Sequence, residues 1–473
     1  MNNFSFLLSL WTAKILSLLI SLSGIGQASN FPGKIALKIK KDIIQFFKIK
    51  KETKIVLITG TNGKSTTCGL LASILQATGQ KVLYNKSGAN LLSGIVTAFC
   101  HYSNIFGHIK FDCILLEVDE ATLPLLTLQI KPDVIAVTNL FRDQLDRFGE
   151  LDTTAKLIEK GINNNKNTII ILNADDAKVA FLRTVNKKIF YGIDLNGKPA
   201  LETNYTEKSN NTWLSDSKET TMCPHCKSDL VFSTNTLAHL GNYKCPKCNL
   251  ERPHIDFLAT KIKADHLTTN FDIFGTGFEN TNNNFFLSQI GLFNLYNAIC
   301  STAIAKSISN VTPMQIQKAF QAYSTIFGRG EKIIVKTPHQ GVSTAWVYLI
   351  KNPTGTTETL KTLSNFPNTR FLIAINDNYA DGRDVSWLWD ARFDFLSNHK
   401  KEIFVSGKRA YDMALRLKYA NIKDDLIKVN ENIVSAINQS LKTLEENETL
   451  YILPTYTVLL EMQHKGLCKS SPL

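Results

Sequence analysis

An α/β fold with a mostly parallel sheet, followed by a second α/β domain, is predicted by three observations. Short β-branched runs alternate with helix-like segments from Lys54 to about Gly192, the pattern of strands laid side by side with helices crossing between them. A glycine-rich run, Thr59 to Thr66, joins the first of these strands to a helix-like stretch. A further alternation begins near residue 344. At 473 residues, 44% hydrophobic and 20% charged, the chain is long enough for two or three cores and is neither disordered nor fibrous.

In chain order, the first 28 residues are strongly apolar, with Phe4 to Trp11 and Ile15 to Ile20 separated mainly by Lys14. The start lacks the positive charge of a secretory signal, and a central lysine with many serines weakens a spanning helix. A helix lying on a membrane or on another protein's face is expected, with a spanning helix and a helix packed on the chain's own core as alternatives.

Lys54 to Thr59 is a β-branched run suited to a buried parallel strand, and Lys64 to Thr78 has apolar spacing suited to a helix. The turn between them, Thr59-Gly60-Thr61-Asn62-Gly63-Lys64-Ser65-Thr66, reads as a nucleotide phosphate cradle. Gly60 and Gly63 let the backbone approach phosphate oxygens, and exposed amides at the helix start attract negative charge. Lys64 adds a cation, and Ser65 or Thr66 can ligate magnesium. The general phosphate-loop pattern would have Gly where this chain has Ile58; an ordinary glycine turn, however, would not need Lys and Ser at the helix start. An ATP-dependent enzyme is the leading expectation.

Further strands are predicted at Cys113 to Val118, Asp133 to Thr138 and Thr168 to Leu172. Ligands of such sheets bind beyond the carboxyl ends of the strands, where Glu117, Asp119, Glu120, Asn139, Asn173, Asp175 and Asp176 fall. Asp175 and Asp176 serve equally well as loop or cap residues.

An Asn/Thr/Ser/Lys-rich stretch from Glu202 to about Ser217 reads as a linker into Cys223-Pro-His-Cys226 and Cys245-Pro-Lys-Cys248. Paired C-x-x-C knuckles at this separation direct four thiolates at one tetrahedral ion, which makes Cys223, Cys226, Cys245 and Cys248 a structural zinc ribbon. Two disulfides are the alternative, disfavoured in a reducing compartment. The formal net charge of +12 favours acidic partners without choosing among nucleic acid, membrane and phosphorylated substrates.

After the ribbon, Asn280 to Phe286 reads as a turn and edge strand, and Gly291 opens a helix to about Ala305 that carries Asn294 and Asn297 on one face. Phe327 to Gly330 is a hinge candidate whose Arg329 can reach the ATP γ-phosphate on domain closure. Strands follow at Trp346 to Ile350, Phe371 to Ile375, Ile403 to Val405 and Leu450 to Leu453, with helices near Tyr411 to Lys418 and Ile433 to Leu444. The polar stretch Asn376 to Asp390 sits directly after a strand, a position that usually carries function.

The Thr59 to Thr66 run, Glu117, the segment Asn139 to Asp146, the Asn294/Asn297 helix and Arg329 together resemble the Mur ligase and folylpolyglutamate synthase superfamily. Within it, the four-cysteine insertion, the Asp381 to Asp390 loop, Ser406 to Ala414 and Leu453 to Thr457 look like the MurT type, the ligase-like subunit of lipid II isoglutaminyl synthase. The resemblance implies a Mur-ligase-like central domain and a Rossmann-like C-terminal domain. It also implies ATP-dependent amidation of the D-glutamate α-carboxyl in the lipid II stem peptide through an acyl phosphate. Ammonia would come from a separate GatD-like glutaminase in a heterodimer, acting in the cytoplasm at the inner membrane face. By motif, Lys64 stabilises the transferring phosphoryl group, Ser65 and Glu117 hold magnesium, and Asn297 contacts adenine. Asp384 completes the partner's catalytic triad, with Asp381 and Asp390 as rivals. Departures include Gln144, where amino-acid-adding Mur ligases commonly carry His, and a shortened spacer to Lys156.

The expected division is an apolar segment at 1–50, an ATP-binding domain at 51–325 with the ribbon inserted at about 218–255, and a C-terminal domain at 326–473. The competing functions are an amino-acid-adding ligase and a nucleic-acid-binding ATPase. The second lacks an aromatic-basic patch, and no nucleic acid is expected as partner.

Overall fold

The computed structural model describes residues 2–23, 30–85, 89–141, 151–195, 221–264, 268–278, 284–287, 289, 291–323, 329–337, 341–364, 366, 368–445 and 448–467. The 202–217 linker, Gln144 and residues 327–328 of the hinge lie outside them. The described residues fall into two compact units, one ending at Tyr323 and the other beginning at Arg329.

The first unit carries β1 (Lys48–Ile49), β2 (Lys54–Thr59), β3 (Val82–Tyr84), β4 (His108–Ile109), β5 (Cys113–Glu117), β6 (Val134–Val137), β7 (Ile169–Asn173), β8 (Lys188–Ile193), β9 (Val231–Leu237), β10 (Leu240–Lys244), β11 (Phe257–Ala264), β12 (Thr269–Gly275) and β13 (Asn284–Leu287). Nine of them form one sheet in the order β13-β12-β11-β8-β7-β6-β2-β5-β3. It is parallel from β3 to β11, and β12 and β13 extend it in antiparallel fashion. β13 is the edge strand, as read from the sequence.

The β-branched runs are apolar throughout because both faces of the sheet are covered. Val56 and Ile58 point into a core shared with the helices α3 (Lys64–Ala77) and Leu292–Ile308. Ile55 and Leu57 point into the opposite core. That second core is roofed by α1 (Asn2–Ser23), α2 (Phe31–Ile39) and α4 (Leu92–Tyr102). α1 therefore packs on the chain's own core through Phe6, Leu10 and Ala13, with Phe6 against Phe47 edge-on and Phe47 against Phe99. β2 lies between β5 and β6, so the chain changes side at its carboxyl end. In open α/β sheets that switch point is where ligands bind.

The second unit carries β14 (Arg329–Thr337), β15 (Gly341–Tyr348), β16 (Thr369–Ala374), β17 (Ile403–Ser406), β18 (Ile427–Val429) and β19 (Thr449–Pro454). They form a six-stranded sheet in the order β14-β15-β19-β16-β17-β18, parallel except for the β14/β15 hairpin. The predicted helices are found at Ala410–Tyr419 and Ile433–Lys442.

Candidate active site

At the end of β2 the chain makes the expected turn, with Gly60 at φ 117° and Gly63 at φ 85°, and Gly63 precedes the first residue of α3. Both glycines are required sterically as well as conformationally. A Cβ on Gly60 would lie 2.4 Å from Thr138 Oγ1, and one on Gly63 would lie 2.1 Å from Asn297 Oδ1. The loop is braced from the neighbouring strand. Asn62 N donates to Asn139 Oδ1 at 2.9 Å, Asn139 Nδ2 donates to Asn62 O at 3.1 Å, and Thr61 N donates to Asn139 O at 2.8 Å. Phe141 N donates to Thr61 Oγ1 at 3.0 Å.

Lys64 is buried at the first position of α3, where its ammonium donates to Gly60 O and lies 3.3 Å from Glu120 Oε1. Burial pushes the Glu120 carboxyl up, with Lys64 opposing that shift. Ser65 Oγ donates to Glu117 Oε2 at 2.5 Å. Thr66 is buried beside them. Asn297 reaches this group from the helix Leu292–Ile308 and accepts from Thr67 Oγ1 at 3.2 Å, so its amide lies against the phosphate loop itself. The structure thus brings Gly60, Thr61, Asn62, Gly63, Lys64, Ser65, Thr66, Glu117 and Asn297 into one place. A hydroxyl and a carboxylate share one hydrogen bond beside a lysine at a helix N-terminus, a donor set suited to a hard divalent cation carried on a polyphosphate.

Three positioning groups escaped sequence reasoning. Asn85, just past β3, clamps the Glu117 backbone by donating from Nδ2 to Glu117 O at 2.8 Å and accepting from Glu117 N at 2.8 Å. Its position after a short apolar strand was the available signal. Arg252 and Tyr296 both meet fully buried Asp175, through Arg252 Nη1 to Oδ1 at 2.8 Å and Tyr296 Oη to Oδ2 at 2.6 Å. Asp176 accepts from Lys178 N and Val179 N as a helix cap, and from Leu140 N at 2.8 Å.

The four cysteines cluster as expected. Their sulfurs lie within 4.8 Å of one another, with Cys226 to Cys245 at 3.4 Å and Cys223 to Cys248 at 3.6 Å. A zinc tetrahedron with 2.3 Å bonds has edges of about 3.8 Å, so these residues fit that ion. The two knuckles are built alike. Lys227 (φ 63°) and Asn249 (φ 57°) follow the second cysteine of each pair and donate back to Cys223 O and Cys245 O.

In the second unit, the three segments singled out in the sequence meet at the carboxyl ends of β16, β17 and β19. Thr457 N donates to Asp381 Oδ1 at 2.7 Å, and Thr457 Oγ1 accepts from Asn378 Nδ2 at 2.7 Å. Lys408 Nζ donates to Asn378 Oδ1 at 2.6 Å, and Arg409 pairs with Asp377 at 2.7 Å. Asp381 is buried in this network. Asp384 is exposed, its carboxyl held below the usual range by Ser386 N, which donates to Oδ1 at 2.8 Å. Asp390 is exposed on the following turn. Arg329 opens β14 of this unit.

This fold is that of the Mur ligases. A pseudomurein peptide ligase type C from Methanothermus fervidus superposes with a TM-score of 0.61 at 20% identity, covering 89% of this chain and 80% of that one. A MurF ligase from Thermotoga maritima in complex with ADP does so with 0.56 at 14% identity, covering 92% and 84%. Residues 58–231 match the Mur ligase middle domain, and residues 349–459 match the MurT ligase C-terminal family. Over 93% of both chains the sequence is 35% identical to the lipid II isoglutaminyl synthase (glutamine-hydrolyzing) subunit MurT of Streptococcus pneumoniae, and the chain belongs to the MurT family.

Proposed function

We propose that this chain is the ligase subunit of a two-component enzyme that amidates the α-carboxyl of D-glutamate in the lipid II stem peptide. The observation that carries the reading is family membership along nearly the whole chain, joined to an intact phosphate loop with Glu117 on its serine. ATP phosphorylates the carboxylate, and ammonia attacks the acyl phosphate to give D-isoglutamine and phosphate. The loop amides and Lys64 balance charge on the transferring phosphoryl group, and Asn297 is assigned to the adenine. Arg329 is assigned to the γ-phosphate. Ser65 and Glu117 are the donors for a magnesium ion, which would neutralise phosphate charge when bound.

A relative named as one subunit of a glutamine-hydrolysing synthase supports a partner that supplies ammonia, and we assign that role to a GatD-like glutaminase. Asp384 is assigned to its triad, orienting a histidine across the interface. Asp384 is exposed and its carboxylate favours the charged form, whereas Asp381 is committed to Thr457. The reaction belongs in the cytoplasm, where ATP is available, at the membrane face that presents the lipid-linked substrate.

The test is to incubate the purified chain with ATP, magnesium, lipid II in detergent and excess ammonium, with free amino acids present, and to weigh the lipid product. Conversion of carboxyl to amide supports the reading. Gain of an amino-acid residue refutes it in favour of a conventional ligase.

A further inference from the structure

α1 has two apolar faces, and among the described residues only one is packed against the fold. Phe6, Leu10 and Ala13 are sealed into the core, and Ser9 Oγ donates to Ala36 O of α2 at 2.8 Å. On the opposite side, Phe4, Leu8, Trp11, Ile15, Leu18 and Leu22 follow one another at i+3 and i+4 spacing and stand 44 to 75% exposed. The one charged residue of α1, Lys14, is turned aside to donate to Ser103 O at 2.6 Å. The apolar surface continues onto a neighbouring turn. Trp11 Nε1 donates to Ile105 O at 2.9 Å, and Ile105 and Phe106 are 57% and 55% exposed. That turn is a built feature, because Asn104 Oδ1 accepts from both Phe106 N and His108 N at 2.9 Å. With ~180 Å² for a whole large side chain, the patch is on the order of 800 Å², above the ~300–600 Å² of the largest patch on an ordinary monomer.

The surroundings of this patch are basic. Residues 1–51 hold eight lysines against a single acid, Asp42, a net +7 out of the chain's +12. Lys34 and Lys38 are exposed on α2, the helix packed beside α1. Lys48 and Lys110 are exposed on either flank of the Ile105–Phe106 turn, where Lys48 N donates to Gly107 O at 2.9 Å. A broad apolar stripe edged by ammonium groups matches one environment closely, the acyl-headgroup boundary of an anionic bilayer.

We propose that the outer face of α1 and the Ile105–Phe106 turn insert together into the surface of an anionic lipid bilayer, so that the helix lies in the interface and does not cross it. By length and composition alone α1 could span a membrane. Its inner face, however, is already committed to α2, α4 and the Phe47 segment. The proposal deepens the placement at the membrane made above and rests on it for which membrane is met.

The test is flotation of the full-length chain with vesicles free of substrate lipid, either phosphatidylcholine alone or phosphatidylcholine with phosphatidylglycerol. The expected result is at least tenfold more protein on the phosphatidylglycerol vesicles, with a blue shift of Trp11 emission that is absent in Trp11→Phe. The Ile15→Glu/Leu18→Glu variant is expected to lose at least tenfold of this binding at an unchanged melting temperature. Lys34→Gln/Lys38→Gln is expected to lose binding only to the anionic vesicles. The proposal is overturned if the wild-type chain stays in the aqueous phase, or if the glutamate variant floats as well as the wild type. It is also overturned if that variant merely dissolves a dimer seen by sedimentation velocity, which would make the face a contact between two copies. Because amidation is assayed in detergent and flotation without substrate, either reading can fail without the other.

Discussion

Replacing Arg252 by alanine tests whether the buried Asp175 link holds the ribbon side of the first unit to the helix that carries Asn297. Asp175 has no exposed side-chain surface, and Arg252, 17% exposed, is its ion-pair partner at 2.8 Å. Removing one member of a buried pair costs about 3–5 kcal/mol, because the other charge is left unpaired in a dry site. At about 2–4 °C per kcal/mol for a unit of this size, the melting temperature should fall by on the order of 10 °C. A second variant identifies the cause. If the stranded carboxylate is responsible, adding Asp175→Asn to Arg252→Ala should recover about 2 kcal/mol relative to the sum of the single changes. The pH dependence has a definite sign. Burial already raises Asp175 above the usual carboxylate range, with Arg252, Tyr296 and the Ile193 amide opposing, and loss of Arg252 raises it further. A raised carboxyl contributes stability that is fully present below its unfolded value and is lost as pH rises through its folded value. The gap between variant and wild type should therefore be small at acidic pH and widen toward pH 8. Differential scanning calorimetry of the zinc-loaded protein measures all three. Strictly additive variants, or a gap that narrows as pH rises, would refute the argument.

Lys64→Met removes the cation at the phosphate loop and should lower ammonia-dependent amidation by about 10²–10³-fold with the circular dichroism spectrum unchanged, as read by product mass. Elemental analysis should find one zinc per chain, and Cys245→Ser should lose it and lower the melting temperature of the first unit, since metal binding is coupled to folding in such sites. Asp384→Asn should lower glutamine-dependent amidation by about 10³–10⁴-fold while leaving the ammonia-dependent reaction unchanged. Asp381→Asn puts an amide donor where Oδ2 accepts from Thr457 Oγ1 and Asn378 N, and should show itself as lost stability by thermal denaturation.

The parallel strands were legible because burial on both faces demands continuous apolar runs, and the phosphate loop because each residue type in it has a separate task. The cysteine cluster was legible because its four members lie in two short repeats. What escaped was long-range. Asp175 meets partners 77 and 121 residues away, and neither Arg252 nor Tyr296 stands in a pattern that points to an aspartate. β11, β12 and the β14/β15 hairpin were only partly visible, since polar and charged residues interrupt them: Lys261 and Lys263, Asn270 and Asp272, Glu331 and Lys332. For α1 the composition announced an apolar helix but not its orientation, because both of its faces are apolar and only packing decides which is hidden.

β8 and β11 are parallel neighbours, with Tyr191 beside Phe257, and the whole cysteine-bearing insertion lies between them in the chain. Parallel neighbours require a crossover of a dozen residues or more, usually a helix. Here the β9/β10 hairpin with the four-cysteine cluster stands in that place. During synthesis β11, β12, β13 and the helix bearing Asn297 all emerge after the ribbon. Loss of an ion held by those four thiolates would therefore act on assembly, before the sheet is complete, and would lower protein yield rather than the turnover of each finished molecule.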